Sequence, residues 1–388
     1  MLLKLSATSM AFLSFLMCYS QADSTKKTPA ADTSKPATVP VDTTKPPPVT
    51  ITGSVDVYYR YNFNAPAGKT NNYTSFTNSN SSFELGMASI RADHSFGKVA
   101  ATVDLGFGRR AEEFSYNDPA HPSLFAVKQL FLSYQATSAL KFTMGKWGTH
   151  IGYEVLDAYA NRNYSMDYMF SYGPFFHTGL RADITLSSTT ALMVGVANPT
   201  DFSTTSDLTK VAIAQFSTGT KNGKWKFYLN FQGYGGVNAD TVINPGYTLY
   251  KSLTQFDLVI NGTISSKFGV GYNGTVQNVN SSGLGKSASW WGSAVYLNLD
   301  PTPLFGLTLR GEIFGDPDGI KINPINQVGD PGLNVFDLTL TGLFHLGSNL
   351  TIMPELRLDN GSKNFFLKSD NTATTGTFSA LLAATYHF

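Results

Sequence analysis

The sequence predicts an all-β fold, a closed antiparallel transmembrane β-barrel of about sixteen strands. Three observations predict it. Apolar residues recur at every second position from Ile51 to the C-terminus. The connections between these alternating segments are short and long in turn. Aromatic content is high, with 28 Phe, 19 Tyr and 4 Trp, while only 14% of the 388 residues are charged. Soluble domains carry about 25% charged residues, and no apolar run after the N-terminus approaches the roughly 20 residues of a spanning helix. With a mean hydropathy of −0.09, the chain is too oily for disorder and too finely interspersed with polar residues for a helical membrane protein.

Residues 1–20 read as a secretory signal: Lys4 supplies the positive start, Leu5 to Tyr19 the apolar stretch, and Ser20 or Ala22 a small residue for cleavage. Cys18, the only cysteine, lies inside that stretch, which leaves no disulfide framework or thiolate metal site. Residues 21–50 hold six prolines and no aromatic residue. Such a segment buries too little apolar surface to offset its conformational entropy, so a disordered Pro/Thr/Lys-rich linker is expected before a barrel domain over 51–388.

Within ITGSVDVYYRYNF, Ile51, Val55, Val57, Tyr59, Tyr61 and Phe63 share one face, and Ser54, Asp56, Arg60 and Asn62 the other. Trp225, Phe227, Leu229 and Phe231 repeat the pattern, as do Phe336, Leu338, Leu340 and Phe344, and at the end Phe378, Leu382, Tyr386 and Phe388. Segments start near Ile51, Phe83, Lys98, Ala126, Leu140, Thr178, Ala191, Lys210, Lys224, Leu253, Phe268, Ser289, Phe305, Val335, Leu350 and Gly376. Those near Phe83, with a phase shift at Ser89, and near Lys210 are the least regular, and bulges are expected there.

Seven connections are tight, and Asn222-Gly223 is a hairpin signal. Eight are long and polar: 64–82, 109–125, 148–177, 198–209, 235–251, 279–288, 315–334 and 360–375. One rim of short turns and one of long loops is the pattern of an outer-membrane barrel, short turns periplasmic and long loops extracellular. A soluble sandwich also alternates, but these segments run about ten residues, enough to cross a bilayer when tilted. Aromatics at the segment ends (Tyr59, Tyr61 and Phe63; Trp225; Trp290 and Trp291; Tyr386 and Phe388) suit interfacial girdles. In hydrocarbon every backbone polar group needs an internal partner, so the sheet must close, and sixteen strands leave an aqueous lumen.

The face opposite the apolar one carries Asp56, Arg60, Asp104, Lys141, Arg181, Asp183, Lys226, Asp257, Arg310, Glu312, Asp337, Glu355 and Arg357. On a lipid face each charge would cost about 2–4 kcal/mol at mid-depth, so these residues are expected to line a wet interior. Loop 148–177 is the longest and holds eight Tyr and Phe residues. A solvated loop does not need them, so it is expected to fold inward as a constriction. Glu154, Asp157, Arg162 and Asp167 of the loop, facing Arg60, Lys141, Arg181, Arg310 and Arg357 of the wall, are the pore-constriction candidates.

The stretch GKVAATVDLGFGRRAEEFSYND (97–118), then VKQLFLSYQ and MGKWGTHIGYEVLDAYANRNYSMDYMFSYGPFFHTGLRA (144–182), resembles the OmpL-like outer-membrane β-barrel porin family. The resemblance runs from about residue 51 to the end and is most specific over 97–182. It implies an exported barrel in the outer membrane of a Gram-negative bacterium that passes small solutes, and it supplies no binding residues.

Other motifs carry less chemistry. Gly269, Gly271 and Gly274 spell G-x-G-x-x-G, but alternation continues through Phe268, Val270 and Tyr272 with no following helix. Asp316-Pro317-Asp318-Gly319 is a fragment of a calcium loop without its later ligands. The six histidines form no H-x-x-x-H pair, and no cofactor is implied. With 23 basic and 24 acidic residues over 51–388, no nucleic-acid field exists and neither ion sign is favoured. The expected function is a water-filled channel for passive diffusion of small polar solutes, not an enzyme. The alternatives are a lipase-like barrel enzyme, for which His345 and His387 lie at the wrong rim, and a non-conducting structural or adhesion barrel. Implied partners are outer-membrane lipid, small polar solutes or ions, further copies of the chain (a trimer is an option), and the barrel assembly machinery through terminal Phe388.

Overall fold

The computed structural model describes residues 47–68, 70–116, 122–205, 209–237, 241–244, 247–322 and 332–388. The signal assignment (1–20) and nearly all of the linker assignment (21–50) fall outside them. Among the described residues no helix is long and apolar enough to cross a membrane.

Sixteen strands form one closed antiparallel barrel, each hydrogen-bonded to its sequence neighbours and the last to the first. They are β1 (Thr50–Asn62), β2 (Ser82–Phe96), β3 (Val99–Phe107), β4 (Val127–Gln135), β5 (Leu140–Gly148), β6 (Phe176–Thr185), β7 (Ala191–Ala197), β8 (Val211–Gly219), β9 (Trp225–Tyr234), β10 (Ser252–Thr263), β11 (Phe268–Ser281), β12 (Lys286–Thr302), β13 (Phe305–Asp316), β14 (Leu333–Leu346), β15 (Leu350–Gly361) and β16 (Gly376–His387). Each start lies within three residues of the one expected. Among the described residues two α-helices sit in the long loops, α1 (Arg109–Phe114) and α2 (Tyr168–Tyr172).

Period-two alternation becomes inside and outside as expected. Val55, Val57, Leu229, Phe336, Leu338, Leu340, Leu382 and Tyr386 stand exposed on the outer face, and Asp56, Arg60, Asn230, Asp337 and Thr339 are buried on the inner one. The seam closes at the chain's end: the Gly53 and Phe388 backbones exchange two 3.0 Å hydrogen bonds. A side chain at Gly53 would strike the Phe388 ring. Phe388 thus has a packing role in the closed barrel.

Several expectations need correcting. The bulge in β2 falls at Gly86, where register shifts opposite Asp56 and Val57, not at Ser89, and β8 pairs both neighbours without any shift. Connection 279–288 is not a long loop. Its polar residues continue the ladder (Asn280 opposite Ser287, Ser281 opposite Lys286) and leave a four-residue turn, 282–285. Trp290 is not in an outer girdle: next to exposed Trp291 it must point inward, and it is buried there, donating to Gln277 at 2.9 Å.

The wall is uneven. Strands β3 to β8 have 7–10 residues, whereas β10 to β16 have 12–17.

Candidate functional site

Loop 148–177 leaves the wall at a closed neck, where Thr149 donates to the Phe175 carbonyl at 3.0 Å. From there its groups bond to inward-facing side chains of the tall wall. Gly152 N–H reaches Asp257 of β10 at 3.0 Å, and Tyr153 N–H reaches Asn273 of β11 at 3.1 Å. Tyr164 N–H and Ser165 N–H donate to Glu355 of β15 at 2.8 and 3.1 Å. Tyr168 N–H and Met169 N–H donate to Glu312 of β13 at 2.8 and 2.9 Å. A carboxylate accepting two backbone N–H groups satisfies donors that no ladder can reach, which is how irregular chain survives inside a barrel.

The eight aromatics find ring partners. Tyr153 stacks on Tyr296 at 4.1 Å, Tyr164 lies 5.3 Å from Tyr58, Tyr168 and Tyr172 pack on Phe314, and Phe170, Phe175 and Phe176 join Phe76 and Phe114. Tyr159 stacks on His387 at 4.8 Å, at the short-turn end of β16. The wall is notched to receive the loop: a methyl group at Gly271 would meet the Tyr153 ring at 2.7 Å, and one at Gly292 would meet Met169 at 2.2 Å.

Among the expected site residues, Glu154 and Arg310 meet at 2.6 Å, and Arg310 also contacts Asp337 at 3.0 Å and donates to the Ser165 carbonyl at 2.7 Å. Arg357 joins this network through Asp337 at 2.5 Å and the Met166 carbonyl at 2.7 Å. Burial, reinforced by nearby Asp167, holds the Glu154 carboxyl above its ordinary range even though Arg310 opposes the shift. Asp167 accepts from Tyr296 at 2.7 Å and caps α2 through Phe170 N–H at 2.6 Å. Arg162 pairs with Asp300 at 2.7 Å, next to a short turn, so the loop descends through most of the barrel's height. Asp157 reaches the other way, to Lys128 of β4 at 2.6 Å.

Of the remaining three, Arg60 and Lys141 are placed elsewhere, and Arg181 faces a cavity beside the loop. Arg60 donates to the carbonyls of Thr70 and Ser79 at 2.8 and 2.7 Å, held by the first long loop. Lys141 and Arg181 both lie 3.5 Å from Asp183, and Arg181 also covers the Trp147 ring at 4.9 Å. Nor is the whole inner wall wet: Asp56, Glu312, Asp337 and Glu355 are buried because the loop lies against them. The calcium-loop fragment is used internally, Asp316 accepting from Ile320, Lys321 and Ile322 N–H and Asp318 pairing with Lys286 at 2.6 Å.

Lys128 and Lys146 are inward cations that escaped period-two reading. In β4, Leu130 and Leu132 point outward, which would place Lys128 outward too, but the register shift at Asp104/Leu105 turns it in. In β5, exposed Phe142 and Met144 would carry Lys146 outward, yet Gly145 sits at φ 136° and Lys146 is buried, 3.8 Å from the Phe176 ring. The irregular phase was the only signal of either.

Between the loop and the β4–β8 side remains a cavity of about 190 Å³. Lys128, Gln129, Arg181, Asp183 and Gln215 of the wall and Asp157 of the loop line it. Both cations and carboxylates line it, so it has no single-sign field.

The profile of the family described as "Putative beta-barrel porin-2, OmpL-like" matches residues 48–388. The chain belongs to the OmpL-like β-barrel porin family. No curated protein matches its sequence. Solved structures share the fold. OmpT of Vibrio cholerae, expressed in the outer membrane and also solved in a trimer form, is 11% identical with a TM-score of 0.57, over 88% of this chain and 97% of its own. An anion-selective porin from Comamonas acidovorans gives 10% and 0.56 over 88% and 99%. The outer membrane channel DcaP of Acinetobacter baumannii gives 13% and 0.54 over 88% and 97%. At such identities the likeness is one of fold. Porin family and outer-membrane neighbours together imply an outer-membrane barrel.

Proposed function

We propose that this porin-family barrel is a narrow channel for passive diffusion of small polar solutes and ions, and not an enzyme. The observation that carries the reading is the one-sided mooring of loop 148–177. Most of its ties run to β10–β16 and β1, with Asp157–Lys128 and the neck at His150 the bonds to the other side, and the open volume is left against β4–β8. The constriction is then formed by Asp157 and Glu154 of the loop with Lys128 and Arg181 of the wall. Arg310 and Arg357 anchor the loop and stay out of the solute path. Because both cations and carboxylates line the cavity, discrimination by ion sign is weak, and size is the main filter.

Purified full-length chain added to a planar bilayer is expected to give stable, small conductance steps with a reversal potential near zero in a salt gradient. Silence across many insertions would defeat the channel reading in favour of a non-conducting barrel. Lipid hydrolysis lost on replacing one serine would revive an enzyme.

A further inference from the structure

At the neck of loop 148–177 two buried imidazoles lie together. His150, first residue inside the neck, and His177, just below it in β6, have ring centroids 5.0 Å apart. His150 Nε2 lies 3.1 Å from the Phe231 carbonyl of β9, and Gln215 of β8 donates to the His150 carbonyl at 3.3 Å. His177 Nε2 meets the Thr149 hydroxyl at 3.3 Å, and that hydroxyl accepts from Ile151 N–H at 3.1 Å. His177 Nδ1 is buried without a hydrogen-bond partner. The pair therefore stitches both ends of the loop to each other and to β9.

The charges around it are unfavourable to a proton. Arg181 of β6 is a cation that bears on His150. Lys146 of β5 packs on the Phe176 ring. The carboxylates are engaged elsewhere: Asp183 of β6 with Lys141 and Arg181, Asp201 with Phe175 and Phe176 N–H, Asp257 of β10 with Gly152 N–H, and Glu154 and Asp157 with Arg310 and Lys128. Met193 of β7 is apolar. A protonated pair would add two buried positive charges beside Arg181, with no free counter-ion among the described residues.

We propose that His150 and His177 form an acid-sensitive clasp, which keeps loop 148–177 seated while both rings are neutral and releases it when they are protonated. This rests on the porin reading only for its consequence, a wider channel in acid. Burial pushes His150 from 6.5 down to about 4. A released neck would take up the proton near 6.5, so seating is fully favoured above that value and weakens as pH falls toward 4. Between the two values, one coupled proton changes the released-to-seated ratio by up to about tenfold per pH unit.

The test is hydrogen exchange of the 149–175 segment in the full-length barrel, at neutral pH and near pH 4.5, corrected for intrinsic rates, with bilayer conductance recorded in parallel. Wild-type protein should lose protection in acid, and H150Q/H177Q and H150Q should lose it less or not at all, with heat-modifiable gel mobility showing that each variant barrel has formed. Unchanged wild-type protection, or the same loss in the double variant, would overturn the clasp. The wild-type comparison stands even where a variant does not fold. Absence of current at every pH with acid-released exchange defeats the porin reading alone.

Discussion

Replacing residues 154–172 with a short Gly-Ser linker should raise single-channel conductance at least severalfold and leave the barrel folded. Sixteen strands spaced about 4.8 Å and tilted about 40° enclose a backbone radius of about 16 Å, or a free radius near 10 Å once side chains are counted. Beside the seated loop lies a cavity of only about 190 Å³. Deletion uncovers Asp56, Glu312, Asp337 and Glu355, but water replaces the loop, so these groups rehydrate at little cost. The ladder from β1 to β16 makes no use of the loop for closure. Unchanged conductance would mean that residues 154–172 do not narrow the path.

The second large effect is expected for Arg310→Met. Its guanidinium holds Glu154 and Asp337 and two loop carbonyls, those of Ser165 and Met166, all buried. Leaving buried acceptors without their charged donor costs about 1–3 kcal/mol each. Asp337 keeps Arg357 and burial already disfavours a charged Glu154, so the loss falls on the loop carbonyls that Arg310 held. The loop should unseat while the barrel stays closed: protease sites within 148–177 become accessible, heat-modifiable mobility persists, and current turns noisy and larger. Glu154→Gln should be mild, since burial already disfavours the carboxylate there. Equal sensitivity of the two variants would show that the Glu154 pair, and not the bonds of Arg310 to Asp337 and the two carbonyls, anchors the loop.

The barrel was legible because lipid outside and polar groups inside impose the same two-residue period on every strand. That period brought out Val55 to Phe63, Leu338 to Phe344 and all seven tight turns. The inward loop was legible for a different reason: aromatics such as Tyr153, Tyr164 and Tyr168 have no place in a solvated loop, and each has its ring partner inside the barrel. Charge partners were less legible. Arg310 and Arg357 follow from strand parity, but Lys128 and Lys146 depend on a bulge and a positive-φ glycine, which invert parity locally. Arg60 shows the other limit. Parity points it inward, yet which loop claims it depends on the path of 64–82, and nothing local specifies that path. Polar residues 279–288 looked like loop because strand pairing above the membrane needs no apolar face.

The central claim is that solute passes between loop 148–177 and the β4–β8 side. It is tested most directly by placing single cysteines on the two sides of the barrel. Cys18 is the only native cysteine, so Gln215→Cys, on the cavity, and Gln277→Cys, bonded to Gln255 and Trp290 on the opposite side, can each be challenged with a bulky charged thiol reagent during single-channel recording. The predicted result is stepwise block at position 215 and unaltered current at 277; block at 277 with none at 215 would contradict the route.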